Sequence, residues 1–127
     1  MKKVLIITGI IMMGIIFLFS SCDSHISAKQ STLIVNWVSK IIPVNSFLIR
    51  KFAHFSLFFV LEIIIYYLCT VFSLKYPGLI STVFVSLYAI SDEIHQYFVP
   101  GRSCELRDML IDISGAVIAL IILKLWR

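Results

Sequence analysis

The sequence predicts an all-α integral membrane protein, a bundle of about four transmembrane helices with one short interfacial helix. Of the 127 residues, 60% are apolar and only 14% are charged, a composition typical of membrane proteins rather than soluble domains. Four apolar runs are each close to the roughly 20 residues that cross a bilayer as a helix. Because these runs use most of the chain, any chemistry is expected on the bundle itself.

The first apolar run, Val4 to Phe19, follows two lysines, which the positive-inside rule assigns to the cytoplasm. We interpret residues 1–20 as a retained N-terminal transmembrane helix. A cleaved signal peptide is the alternative, because "FSSC", which ends at Cys22, faintly resembles a lipoprotein processing site. The preference for a retained helix leaves cleavage at Cys22 open.

Residues 21–50 are predicted to form an extracytoplasmic segment that contains the interfacial helix. A polar run, residues 21–32, precedes "LIVNWVSKII", whose apolar residues follow helical spacing. Trp37 is expected at headgroup depth, and Pro43 is expected to end the helix.

Residues 51–127 are predicted to form a core of three transmembrane helices, over about 52–72, 79–98 and 107–125. Turn-forming proline and glycine residues separate these spans. Both termini are then cytoplasmic in a multi-pass protein of the cytoplasmic (inner) membrane. The start of the second span, the end of the third and the start of the fourth meet at the outer face.

The polar side chains of these three helix ends are expected to gather in one site. An acid near the middle of a membrane helix costs about 2.5 to 3.5 kcal/mol on insertion scales, so such acids normally face the bundle interior. A carboxylate beside a histidine can orient the ring for acid–base catalysis. The candidate catalytic residues are His54, Asp92, Glu93, His95, Asp108 and Asp112.

Cations and two helix amino ends at the same face favour an anion, such as a phosphate or carboxylate at headgroup level. The candidate anion-binding residues are Arg50, Lys51, Gln96, Arg102 and Arg107. The net charge of +4 does not indicate nucleic-acid binding, because the cations are scattered at segment ends.

Simpler interpretations remain open for single residues. Either histidine alone is more typical of an interfacial ring. A metal-free site without a cofactor is preferred, because H-x-x-x-H and C-x-x-C spacings are absent. Glu62, near the bilayer centre, is expected to be a hydrogen-bonded packing residue, although its role is unresolved.

Three motifs, "RKFAHF", "SDEIHQYFVPGRS" and "RDMLIDISGAVIA", resemble consecutive motifs of the VanZ-like family of small multi-helix membrane proteins. The resemblance covers about residues 48–120 and implies a link to low-level teicoplanin resistance, without an established reaction. It implies that the family's polar signature comprises Lys51, His54, Asp92, Glu93, His95, Gln96, Arg102, Asp108 and Asp112.

The predicted function is modulation of glycopeptide susceptibility, or handling of cell-envelope precursors, through the outward-facing anion site. The expected partners are membrane lipids and an anionic lipid-linked precursor or the glycopeptide. The alternative is an intramembrane enzyme that uses acid–base chemistry on a phosphate-bearing or glycosylated lipid. In a third interpretation, the charged residues only stabilise the contacts between helices, and function depends on partner contacts through the lipid-facing surface. Whether the protein is an enzyme stays open.

Overall fold

The computed structural model describes residues 1–22, 24–43 and 46–126, apart from the side chains of 24–28, 30, 31, 46 and 47. Every regular element in this part of the chain is an α-helix, which confirms the all-α class. The helices are α1 (Lys2–Ser21), α2 (Ser24–Val38), α3 (Ser46–Val71), α4 (Pro77–Tyr97) and α5 (Leu106–Leu125).

The second helix differs from its expected position. The polar run was expected to precede the helix, but α2 begins within it at Ser24 and ends at Val38, well before Pro43. Residues 24–38 contain neither glycine nor proline, so nothing in this stretch interrupts helical hydrogen bonding. The predicted interfacial helix is therefore longer and begins earlier.

Helix α3 lies at the centre of the bundle and contacts each of the other four helices. Helix α5 comes close to it at Gly115, where an added Cβ atom would lie 2.5 Å from the backbone oxygen of Phe55. Only glycine lets two helix backbones come this near. Gly115 is therefore a point of close backbone packing between α3 and α5.

Buried apolar side chains join α1, α3, α4 and α5 in one core that includes Ile16, Phe58, Leu61, Val85 and Ala116. The phenolic oxygen of Tyr88 donates a 2.7 Å hydrogen bond to the backbone oxygen of Met13, which ties α4 to α1. The outer surfaces of all five helices expose large apolar side chains, from Ile10 on α1 to Leu125 on α5.

Two helices among the described residues, α1 and the 48–71 portion of α3, are long and apolar enough to cross a membrane. Helices α4 and α5 fall outside this class because polar and charged residues lie within them, including Asp92 and Asp112. The described residues thus form the expected bundle of helices with an apolar exterior. The number of four membrane spans stays a prediction.

Candidate functional site

A polar cavity of about 170 Å³ lies where the start of α3, the end of α4 and the start of α5 converge. This is the convergence that the predicted topology requires. The predicted site residues that line the cavity are Arg50, Lys51, His54, Glu93, Gln96, Arg102, Asp108 and Asp112.

Beside the cavity, three helices contribute one group each: the buried carboxylates of Asp92 and Asp112 and the partly buried ring of His54. Nδ1 of His54 lies 3.6 Å from Oδ1 of Asp112, whose side chain is about 1% exposed. Asp92, 3% exposed, completes a trio in which one donor atom from each residue lies within 4.8 Å of the other two. We call His54, Asp92 and Asp112 the buried triad.

Only one of the two carboxylate oxygens of Asp92 accepts hydrogen bonds from the described residues. Its Oδ2 accepts hydrogen bonds from Oγ of Ser20 at 2.7 Å and from Nε2 of Gln96 at 3.2 Å. Five carboxylate oxygens among the described residues are buried without a hydrogen-bond partner: Oε2 of Glu62, Oδ1 of Asp92, Oε1 of Glu93, Oδ1 of Asp108 and Oδ2 of Asp112. Most buried polar atoms do have a partner, and two of these five oxygens belong to the triad.

Glu93 connects the end of α4 to the start of α5. Its Oε2 accepts a 3.2 Å hydrogen bond from the backbone N–H of Glu105, the residue that precedes the first turn of α5. A carboxylate at this position satisfies a backbone donor and interacts favourably with the helix dipole. Glu93 therefore fixes the geometry of the cavity wall.

The cations at the cavity have different surroundings. Lys51 forms an ion pair with Asp108, so part of its charge is already compensated. Nη1 of Arg102 donates to the backbone oxygens of Cys22 at 3.3 Å and Phe19 at 3.5 Å, at the end of α1. Burial, followed by the nearby positive charge of Arg50, lowers the pKa of Arg102, so an anion placed between these arginines would relieve their repulsion.

A second cavity, of about 350 Å³, adjoins the polar one and is lined by residues of α1, α2 and α3. Its walls are mostly apolar and include Phe19 and Leu57. Three residues, Arg50, His54 and Arg102, line both cavities. A single amphiphilic molecule could therefore contact both.

Three predicted site residues do not line the polar cavity: Asp92, which belongs to the buried triad, His95 and Arg107. The ring of His95 stacks on Phe17 with centroids 4.4 Å apart, and its Nε2 lies 2.9 Å from Oγ of Ser21. Arg107 is largely exposed and pairs with Glu105 at 3.2 Å. His95 thus belongs to the contact between α4 and α1, and Arg107 lies on the exposed surface at the start of α5.

Glu62 also lies apart from the site. Its Oε1 accepts hydrogen bonds from the hydroxyls of Ser81 at 2.6 Å and Thr82 at 2.9 Å. It joins α3 to the start of α4, at the other end of α4 from Asp92. The expected role as a hydrogen-bonded packing residue agrees with these contacts.

Ser20 and Glu105 belong to the site but are not among the residues that the sequence predicts for it. Ser20 is fully buried and contacts Asp92, 72 positions further along the chain. The only sequence signal is a pair of serines at the end of an apolar run, which was assigned to possible processing at Cys22. Glu105 lines the cavity at the start of α5.

The fold and the site together define a small helical protein with an apolar exterior and a buried charged cluster that opens to one end. A family model described as VanZ/LLP1 matches residues 5–127, and the chain therefore belongs to this family. The predicted VanZ-like membership is confirmed over nearly the whole chain. No match was found among curated proteins or among solved structures.

Proposed function

We propose that this VanZ/LLP1 protein is a multi-pass protein of the cytoplasmic membrane that binds a phosphate-bearing envelope lipid at its outer face. In this arrangement α1, α3, α4 and α5 cross the bilayer, and α2 lies at the interface. Both termini are cytoplasmic. The phosphate binds in the polar cavity, and the lipid chain lies in the adjoining apolar cavity.

The distribution of side chains supports a membrane-embedded bundle. Large apolar groups such as Ile10, Phe84 and Ile121 are exposed on the outside, whereas Glu62, Asp92 and other charged groups are buried. A water-soluble protein normally has the reverse arrangement. In a bilayer, charged residues within spans face the bundle interior and have partners there.

The paired outer charges support the proposed orientation. Cations at the cavity end would oppose the positive-inside rule if they were uncompensated. Lys51 pairs with Asp108, and Arg107 pairs with Glu105. These ion pairs reduce the net charge of the end that the proposal places outside.

The single observation that carries the lipid proposal is the sharing of Arg50, His54 and Arg102 between the two cavities. Arginine guanidinium groups bind phosphate well because their donors form a fixed fork. The neighbouring apolar walls suit an acyl or isoprenoid chain. Only a ligand with both an anionic head and an apolar chain uses both cavities.

A bound envelope precursor gives a route to the family's association with teicoplanin resistance. Teicoplanin carries an acyl chain and acts near the membrane surface, where lipid-linked cell-wall precursors expose their peptide. A protein that holds or redistributes such a precursor alters the drug's access to its target. This effect requires no chemical change in the drug.

The decisive experiment is binding of a polyprenyl phosphate to the purified full-length protein in detergent micelles. The double variant Arg50→Ala/Arg102→Ala is expected to bind at least about tenfold more weakly, since charge-assisted hydrogen bonds contribute about 1.5 to 3 kcal/mol each. Arg107→Ala is the matched control because Arg107 lies outside both cavities. Equal binding by the double variant and wild type would refute the lipid proposal.

An intramembrane acid–base enzyme is the second candidate. The observation that favours it is the 3.6 Å separation of His54 Nδ1 from the Asp112 carboxylate beside the cavity. Asp112 would orient the ring, and His54 would move a proton to or from a bound phosphate-bearing or glycosylated lipid. Cells that carry His54→Gln at normal abundance would then accumulate the substrate, and an unchanged lipid profile would refute this candidate.

A further inference from the structure

The buried triad has a property that anion binding does not use. Its three members come from α3, α4 and α5, and their donor atoms gather within 4.8 Å of one another. We infer that His54, Asp92 and Asp112 bind one divalent transition-metal ion, such as Mn²⁺ or Zn²⁺. The inference rests on the geometry of the triad and not on the proposed lipid ligand.

Two of the five buried carboxylate oxygens without a hydrogen-bond partner among the described residues belong to the triad, where a histidine nitrogen also lies close by. Oδ1 of Asp92 and Oδ2 of Asp112 are buried and have no hydrogen-bond partner among the described residues. The two side chains are 97% and 99% buried, being 3% and 1% exposed. Leaving a buried oxygen unpaired is costly, and coordination to a cation removes that cost.

The hydrogen bonds of Asp92 resemble the outer shell of a metal site. Ser20 and Gln96 both donate to Oδ2, which fixes the carboxylate and leaves Oδ1 available. Carboxylates that bind metals are commonly held by such hydrogen bonds. Ser20 therefore acts as a positioning residue that orients a ligand without touching the ion.

Charge balance also favours a divalent ion. Two ionised carboxylates and a neutral imidazole carry a total charge of −2, which a divalent cation neutralises. Buried charges are tolerated when they are paired or when they coordinate metals. A proton on His54 would compensate only one of the two carboxylates.

The ligand types select the class of metal. One imidazole nitrogen and two carboxylate oxygens suit Mn²⁺, Fe²⁺ or Zn²⁺, whereas Ca²⁺ takes six to eight oxygens and Cu(I) prefers sulfur. In tetrahedral geometry, atoms bound to one such ion at about 2.0 to 2.2 Å lie about 3.3 to 3.6 Å apart. Nδ1 of His54 and Oδ1 of Asp112 already have this spacing, at 3.6 Å. Donor atoms at the 4.8 Å limit of the triad would have to approach each other by up to about 1.5 Å.

The remaining coordination positions have access to the polar cavity, because His54 and Asp112 both line it. Three protein ligands leave room for water or for an oxygen of a bound anion. A metal-bound His54 cannot also serve as a general base. His54 is a metal ligand in this inference and a proton carrier in the acid–base candidate, so the two exclude each other.

The test uses the full-length protein in detergent micelles, stripped with a chelator and then titrated separately with Mn²⁺ and Zn²⁺. Wild type is expected to bind one ion per chain, and pulsed electron paramagnetic resonance of the Mn²⁺ form is expected to show nitrogen coupling from His54. His54→Gln is expected to lose that coupling. Loss of an outer-shell partner typically weakens metal binding by about 10- to 100-fold. Asp112→Asn removes a direct ligand and is expected to weaken it further.

Three further variants sharpen the result. Ser20→Ala is expected to weaken binding by about tenfold, as an outer-shell change does. Glu62→Gln, which alters a buried acid outside the triad, is the control that keeps wild-type affinity. Arg50→Ala/Arg102→Ala is expected to keep the metal while losing polyprenyl phosphate, so failure of one proposal does not imply failure of the other.

Absence of Mn²⁺ and Zn²⁺ binding by folded wild-type protein would overturn the inference. So would unchanged affinity in folded His54→Gln. Helix content by circular dichroism and a single peak in size exclusion define a folded sample. Should Asp112→Asn fail these checks, the nitrogen coupling and its loss in His54→Gln still decide the question.

Discussion

The hydroxyl of Ser20 donates a 2.7 Å hydrogen bond to the carboxylate of Asp92, which joins the end of α1 to the buried triad. Both side chains are almost fully enclosed. Helix α1 is therefore part of the wall behind the site, a role that its apolar sequence does not indicate. Arg102, which donates to backbone oxygens at the end of α1, reinforces the same connection.

Replacing Ser20 with alanine is expected to lower the free energy of unfolding by about 1 kcal/mol, because Asp92 loses a buried hydrogen bond. Denaturant titration in detergent micelles measures the change. Ser91→Ala is the matched control, since Ser91 is exposed and donates within its own helix to the backbone oxygen of Tyr88. Equal effects of the two substitutions would contradict a structural role for the Ser20 contact.

Gly115→Ala is expected to destabilise the bundle by about 1 to 3 kcal/mol, as overpacking in a closely packed interior does. The added Cβ would lie 2.5 Å from the backbone oxygen of Phe55, so two helices must move apart. Gly14→Ala is the control, because an added Cβ there meets nothing within 4 Å and alanine is the better helix former. The unfolding temperatures of the two variants are expected to shift in opposite directions from wild type, or to differ from each other by several degrees.

Glu62→Gln is expected to keep the fold, since an amide oxygen can still accept hydrogen bonds from Ser81 and Thr82. Glu62→Leu removes that acceptor, leaves two hydroxyls between α3 and α4, and is expected to cost about 1 to 3 kcal/mol. Protein abundance in the membrane and denaturant stability measure both effects. Similar losses in the two variants would indicate that the carboxylate charge itself is required.

Both ends of α4 could be predicted from sequence, because proline is well suited to the first turn of a helix and Pro100 and Gly101 favour a turn after its last residue. The expected span of about 79–98 agrees closely with α4, which begins at Pro77 and ends at Tyr97. The start of α2 could not be predicted in this way. Its polar residues contain no helix breaker, so composition alone does not locate the boundary.

The convergence of polar residues also followed from the order of the helices, but the directions of individual side chains did not. At about 100° per residue, Gln96 lies about 40° from Asp92 around α4 and hydrogen-bonds to it. His95 lies about 60° in the other direction and stacks on Phe17 of α1. Which side a neighbouring helix occupies decides between these outcomes, and one sequence does not contain that information.

The proposed orientation predicts the labelling of single cysteines in intact cells. Cys104, exposed in the connection between α4 and α5, is expected to react with a membrane-impermeant maleimide in a Cys22→Ser/Cys69→Ser background. A Lys75→Cys variant that lacks the native cysteines reports on the turn between α3 and α4, and is expected to react only after permeabilisation. The reverse pattern would place the polar cavity on the cytoplasmic side and exclude an outer-leaflet ligand.

Teicoplanin susceptibility connects the proposed lipid site to the cell. Expression of the wild-type protein in a susceptible host is expected to raise the minimum inhibitory concentration of teicoplanin, and Arg50→Ala/Arg102→Ala is expected to return it to the vector level. The physical reason is that these two arginines line both the polar and the apolar cavity. Without them, the protein loses its guanidinium contacts with a lipid phosphate bound where the two cavities meet.

Arg107→Ala is the control for this measurement, because Arg107 carries the same charge at the same end of the bundle but pairs with Glu105 on the surface. It is expected to retain the wild-type phenotype at equal abundance. If the double variant also retained it, resistance would not depend on the junction, and charge at the outer surface or partner contacts through the apolar exterior would have to account for the phenotype. If both variants lost resistance at equal abundance, the total positive charge at this end would matter more than the cavity.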